Sequence, residues 1–118
     1  MVEVYRGDIA LCDLSPVIGT EQTGIRPVVI LQIDRANAVG PHTIIAPFTT
    51  KIRRKLLPSH VFVPAGIGGI SQDSVILCEQ IRVIDKSRLI RVLGHLDDIY
   101  LQRLAIALSV ILGLSSKE

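Results

Sequence analysis

Pro27-Val28-Val29-Ile30-Leu31-Gln32-Ile33 is apolar on both faces of an extended chain and only seven residues long. A strand packed between two apolar layers needs no polar alternation, and a run this short, opened by proline, fits a strand better than a helix. The rest of the fold is read outward from this buried strand. Upstream, Asp8 to Leu14 alternates loosely and predicts a first strand, joined to the buried one by a polar loop holding Pro16, Gly19, Thr20, Thr23 and Gly24. Downstream, Ala36 to Pro41 predicts a turn, Thr43 to Phe48 a third strand, and Lys51 to Lys55 a basic loop or hairpin tip. His60 to Val63 predicts a short strand before a turn at Gly66-Ile67-Gly68-Gly69. Ser74 to Ile84 is the longest β candidate, and on a continuous strand Gln80 and Arg82 point to the same side. Asp85-Lys86-Ser87 predicts a helical turn, and Ile90 to His95 a last strand.

One helix closes the chain. Asp97 is its expected N-cap, Asp98 complements the positive end of its dipole, and Leu101, Leu104, Ala105, Leu108, Ile111 and Leu112 form an apolar stripe. Ile99, Ile106 and Val110 lie off that stripe. A helix apolar around so much of its circumference is either deeply covered or faces another subunit, and a homodimer is expected. Six or seven short strands with a terminal helix make the fold mainly β (α+β), a small barrel or strongly curved sheet with a helical cover.

With 118 residues, 48% of them hydrophobic, the chain is expected to form one domain over residues 1–118, with a core that needs neither metal nor disulfide. The longest strongly apolar run, Leu104 to Leu114, has 11 residues. A membrane span needs about 20. Glu3, Arg6 and Asp8 stand where a signal peptide would be apolar, so a cytoplasmic chain is expected. Net charge is only +2, but residues 1–50 carry three basic and five acidic groups while residues 51–118 carry ten and six. Such asymmetry suits a basic face for phosphate backbones, and equally an ordinary solvated surface.

Cys12 and Cys78 sit in apolar stretches without metal-ligand spacing and read as buried free thiols. His42, His60 and His95 form no HExxH or close pair, so no metal site is expected. The glycine-rich turn lacks a phosphate-loop lysine, and no GxSxG elbow occurs. Polar groups at strand ends remain. Pro27 disfavours helical geometry at Arg26 and holds it extended where the buried strand begins. Thr49 and Thr50 end the third strand, and Glu21-Gln22 lie in the loop before Arg26. A guanidinium and a hydroxyl on neighbouring strand ends can hold a phosphate. The same residues also fit a surface ion pair and turn chemistry. The aromatics, Tyr5, Phe48, Phe62 and Tyr100, are too few for a surface of stacked bases, and both phenylalanines read as core.

Arg6-Gly7-Asp8, followed by the block from Asp13-Leu14-Ser15-Pro16 through Glu21-Gln22-Thr23-Gly24-Ile25-Arg26-Pro27-Val28-Val29, resembles the MazF/PemK family of toxin endoribonucleases. Leu57-Pro58-Ser59-His60-Val61 matches it again, as do Asp73 to Arg82 and Ile84 to Leu89, in order and spacing over nearly the whole chain. The resemblance implies an SH3-like curved β-barrel of the CcdB and MazF type with a C-terminal helix, assembled as a homodimer. It implies cofactor-free, metal-independent cleavage of single-stranded RNA, usually messenger RNA, at short sequences. It also implies a cognate antitoxin that occupies the RNA groove, with DNA contacted only through that antitoxin and no membrane. Carried over by position, Arg26 and Thr49 are the catalytic pair. RNA contacts fall on Ser15, Thr20, Glu21, Gln22, Leu57, Ser59, Glu79, Gln80 and Arg82. Thr23 stands where many relatives have Gly, and Ser59 where close relatives have Thr.

In the implied reaction a ribose 2′-hydroxyl attacks the adjacent phosphate, giving a 2′,3′-cyclic phosphate and a 5′-hydroxyl. Arginine, with a pKa above ~12, is a poor base. Arg26 is therefore expected to stabilise charge and is the candidate acid to the leaving oxygen, while Glu21 and His60 are the candidate bases. The alternative is a non-enzymatic toxin of the same fold that binds a protein target such as gyrase. Arg26 and Thr49 beside the Glu21-Gln22 loop favour the enzyme. A plain RNA-binding domain fits poorly with the few aromatics and weak net charge.

Overall fold

Val28 and Ile30 pack into one apolar layer and Val29 and Leu31 into another, so the run after Pro27 is buried on both faces. The computed structural model describes residues 2–16, 18, 19, 21–52 and 55–114. The run belongs to the second of seven strands. They are β1 (Asp8–Asp13), β2 (Ile25–Ile30), β3 (His42–Thr49), β4 (His60–Val63), β5 (Ser74–Leu77), β6 (Arg82–Asp85) and β7 (Leu89–His95). Two α-helices, α1 (Asp34–Val39) and α2 (Asp98–Ile111), complete the described elements with three short 3₁₀ turns. All pairings are antiparallel. The hydrogen-bonded order is β4-β5-β3-β2-β1-β7, with β6 also beside β3. Among the described residues β4 and β7 do not pair. The expected mainly β, helix-covered architecture is therefore present as a curled open sheet, not a closed barrel.

The layer beneath α2 holds Ile9, Val29, Ala46, Phe48 and Leu104, and the opposite layer holds Ala10, Cys12, Leu14, Val28 and Ile45. Fully burying each large aliphatic side chain contributes about 1.5–3 kcal/mol. Both cysteines are buried and free, as expected. Burial pushes the Cys12 thiol up to about 11 and the Cys78 thiol up to about 12. Phe48 is core at 1% exposure, whereas Phe62 is 38% exposed on β4.

Arg6-Gly7-Asp8 is a structural tie. Arg6 donates from Nη1 to Leu31 O at 2.8 Å and from its backbone to Asp34 at 2.6 Å. Asp8 meets His95 Nδ1 at 2.8 Å across the β1–β7 ladder. Gly7 adopts φ +90°, and a Cβ there would lie 2.9 Å from Leu101. The segment thereby joins β1 to β2, β7 and α2.

Several boundaries differ from expectation. Ala36–Pro41 is not simply a turn: Asp34–Val39 forms a helix too short to show a periodicity, with buried Lys86 donating from Nζ to Asn37 O at its C-terminal end. β2 ends at Ile30 because the chain then bends into α1, although Leu31 N still donates to Ile44 O at 2.8 Å. On α2, Asp97 is the N-cap as expected, and Leu104 is buried with Leu101 and Leu108 half-buried. Ala107 takes the inner position expected for Ala105, and Ile111 and Leu112 are exposed beyond the sheet.

The largest correction concerns Ser74 to Ile84. β5 and β6 both pair with β3, but in registers three residues apart: Thr49 faces Val75 in one and Ile45 faces Arg82 in the other. The surplus residues, Cys78–Gln80, form a 3₁₀ turn. The continuous strand is broken there.

Candidate nucleic-acid interface

That register slip builds one wall of a groove of about 820 Å³. The extra turn projects Glu79 and Gln80 into it while Cys78 is buried beneath. Arg82, at the start of β6, extends the same wall. Gln80 and Arg82 thus share the groove, but through the turn rather than through strand parity. Glu21 and Gln22 of the β1–β2 loop, Leu57 ahead of β4 and His60 at its first residue also line the groove. The floor includes Thr49 and Lys51 at the end of β3. Thr20 lies outside the described residues.

Arg26 and Ser15 stand outside the lining of this groove. The β2–β3 ladder pairs Val28 with Pro47 and Ile30 with Ile45, and the same register carried to the strand ends brings Arg26 level with Thr49. Both share the parity of Val28 and Ile45, so they project to the same side of the sheet. The Arg26 side chain donates from Nε to Thr23 O at 2.7 Å, leaving its two terminal nitrogens for a ligand. Thr49 Oγ1 accepts from Lys51 N–H at 3.1 Å, so its own proton is free to donate. Lys51, read in the sequence only as part of a basic patch, is the cation that reading did not place here. Its cue was its position directly after the Thr49-Thr50 strand end.

Glu79 is organised by two neighbours. Its Oε1 accepts from Ser59 Oγ at 3.1 Å, and its Oε2 lies 2.9 Å from His60 Nε2. Burial acts to raise the Glu79 carboxyl. Hydrogen bonds from His60, its own backbone and Ser59 outweigh it and hold the group below its ordinary value. Ser59 is 4% exposed and faces Glu79 from behind. His60 Nδ1 accepts the Leu57 N–H at 3.1 Å, which fixes the neutral tautomer with its proton on Nε2, directed at Glu79. Neither ring nitrogen then has a lone pair for a substrate proton. Glu21 is exposed, lines the groove and makes no hydrogen bond among the described residues. Gln22 N donates to Gln80 Oε1 at 2.9 Å and pins the loop to the Cys78–Gln80 turn. Among the described residues no three His, Cys, Asp or Glu side chains gather as metal ligands.

The family model for PemK-like, MazF-like toxins of type II toxin–antitoxin systems matches residues 5–112. Endoribonuclease EndoA of Bacillus subtilis (strain 168) is 47% identical over 111 residues, covering 94% of this chain and 96% of its own. MazF from Deinococcus radiodurans (Form-I) superposes with a TM-score of 0.79 at 28% identity, over 93% of this chain and 96% of that one. The MazE-MazF crystal structure (Form-II) from the same organism gives 0.75 at 29% identity, over 96% and 98%.

Proposed function

Since the chain belongs to the PemK-like, MazF-like toxins of type II toxin–antitoxin systems, we propose that its groove binds single-stranded RNA and that Arg26 and Thr49 promote cleavage of one phosphodiester. The ribose 2′-hydroxyl gives up its proton as its oxygen attacks the adjacent phosphorus, the bond to the 5′-oxygen breaks, and that oxygen takes a proton from Arg26 or from water. The products are a 2′,3′-cyclic phosphate and a 5′-hydroxyl. Negative charge builds on the nonbridging oxygens, and donors fixed in a partly dry groove stabilise it without reorganising. Arg26 offers two terminal nitrogens and Thr49 one hydroxyl proton. Lys51 adds a cation to the groove. Glu21 is the groove carboxylate able to accept the 2′-hydroxyl proton, since both Glu79 oxygens and both His60 nitrogens are engaged. The chemistry needs no metal.

The observation that carries this reading is the shared register of Arg26 and Thr49 on the groove side of the sheet. Glu79, Gln80 and Arg82 with Gln22 and Leu57 then form the surface that reads flanking nucleotides, and Ser59 acts by holding Glu79. The working unit is a homodimer joined through the exposed apolar residues of α2, Ile99, Ile106 and Val110. The partner that restrains it is an antitoxin, as the MazE-MazF neighbour suggests. Replacing Arg26 tests the catalytic assignment. Loss of one oxyanion donor costs about 10²–10³ in kcat. Arg26→Ala is expected to lose at least that much while keeping the fold, and full retained activity would refute the assignment.

A further inference from the structure

Arg26 is a long, half-buried side chain, and a guanidinium acts as a transition-state donor only when its plane is held. What holds it is a chain of contacts through the neck of the β1–β2 loop. Arg88 Nη1 donates to Asp13 O at 3.2 Å and to Ser15 O. Ser15 Oγ lies 3.0 Å from Thr23 Oγ1 and accepts Gly24 N–H at 3.1 Å. Leu14 N donates to Gly24 O at 3.0 Å and closes the neck. Thr23 O then receives Arg26 Nε at 2.7 Å.

We propose that Thr23 is a positioning residue for Arg26: its hydroxyl, paired with Ser15, fixes the peptide whose carbonyl orients the guanidinium. With Nε held, the terminal pair of nitrogens points away from the loop in the end-on geometry that grips two phosphate oxygens. Thr23 itself is exposed and does not line the groove, so it acts through Arg26 and not on RNA. The proposal rests on Arg26 being the catalytic cation.

The test uses the full chain and a single-stranded RNA carrying one mapped cut site, comparing wild type, Thr23→Val, Thr23→Ser and Arg26→Ala. Thr23→Val is expected to lower kcat about three- to tenfold, the worth of one hydrogen bond, with KM changed less than about twofold. Thr23→Ser should restore kcat. By NMR, the Arg26 Nε–H proton should exchange slowly in wild type and Thr23→Ser and rapidly in Thr23→Val. An unchanged kcat, a raised KM at constant kcat, or an unaffected Nε–H would overturn the positioning role. Undiminished cleavage by Arg26→Ala would instead overturn the catalytic assignment beneath it.

Discussion

His60 and Glu79 are joined by a 2.9 Å hydrogen bond whose direction is fixed from behind, because the other ring nitrogen of His60 already accepts the Leu57 N–H. The imidazole is a spacer between backbone and carboxylate. Its side chain is only 8% exposed, and it presents no lone pair to the groove. Nitrogen NMR should report a neutral ring protonated on Nε2. His60→Gln should cost about 1 kcal/mol of stability through its lost hydrogen bonds and leave the shape of the pH–rate profile intact. Disappearance of one limb of that profile would return His60 to the role of base.

The same pair makes Glu79 a source of acid sensitivity. A carboxyl held below its ordinary value in the fold stabilises the native state above the unfolded pKa, and that contribution is lost as pH falls through the folded one. Glu79→Gln is therefore expected to melt at lower temperature near pH 7, with the difference from wild type shrinking below about pH 4. Parallel melting curves across that range would contradict the role given to its hydrogen bonds.

Ile106 is 65% exposed at the middle of α2, between Ile99 and Val110, which are exposed as well. Ile106→Glu should convert a dimer to a monomer in sedimentation velocity while preserving the circular dichroism of the sheet. A dimer of unchanged affinity would move the interface off α2.

The two thiols should be inert. With pKa values pushed up to about 11 and 12 by burial, Cys12 and Cys78 hold negligible thiolate at pH 8. A thiol reagent at that pH should label both only after denaturant is added. Rapid labelling of the native chain would contradict the packed layers.

The double burial of Val28 to Leu31 was legible because an apolar run without alternation fits few surroundings. The C-terminal helix was legible from its cap and from half of its stripe, Leu101, Leu104 and Leu108. The break in Ser74 to Ile84 was not, since the three-residue difference between the two pairings of β3 leaves no mark on local propensity. Six-residue α1 was hidden for a related reason: less than two turns give no period to read. At the site, Arg26 and Thr49 stood out as polar ends of apolar strands. The contacts that give the groove its electrostatics join residues far apart in sequence. Gln22 meets Gln80 and Ser59 meets Glu79, pairings that only the folded chain specifies. His60 could be named as a candidate base from residue type alone, but the two bonds that occupy its ring require coordinates.

Cleavage through Arg26 without metal is tested by incubating the purified chain with a long single-stranded RNA in EDTA and mapping both ends of every product. Cuts are expected at one short sequence, each leaving a 2′,3′-cyclic phosphate and a 5′-hydroxyl, and none with Arg26→Ala. Intact RNA from folded, antitoxin-free protein, or 5′-phosphate ends that form only when metal is restored, would contradict it.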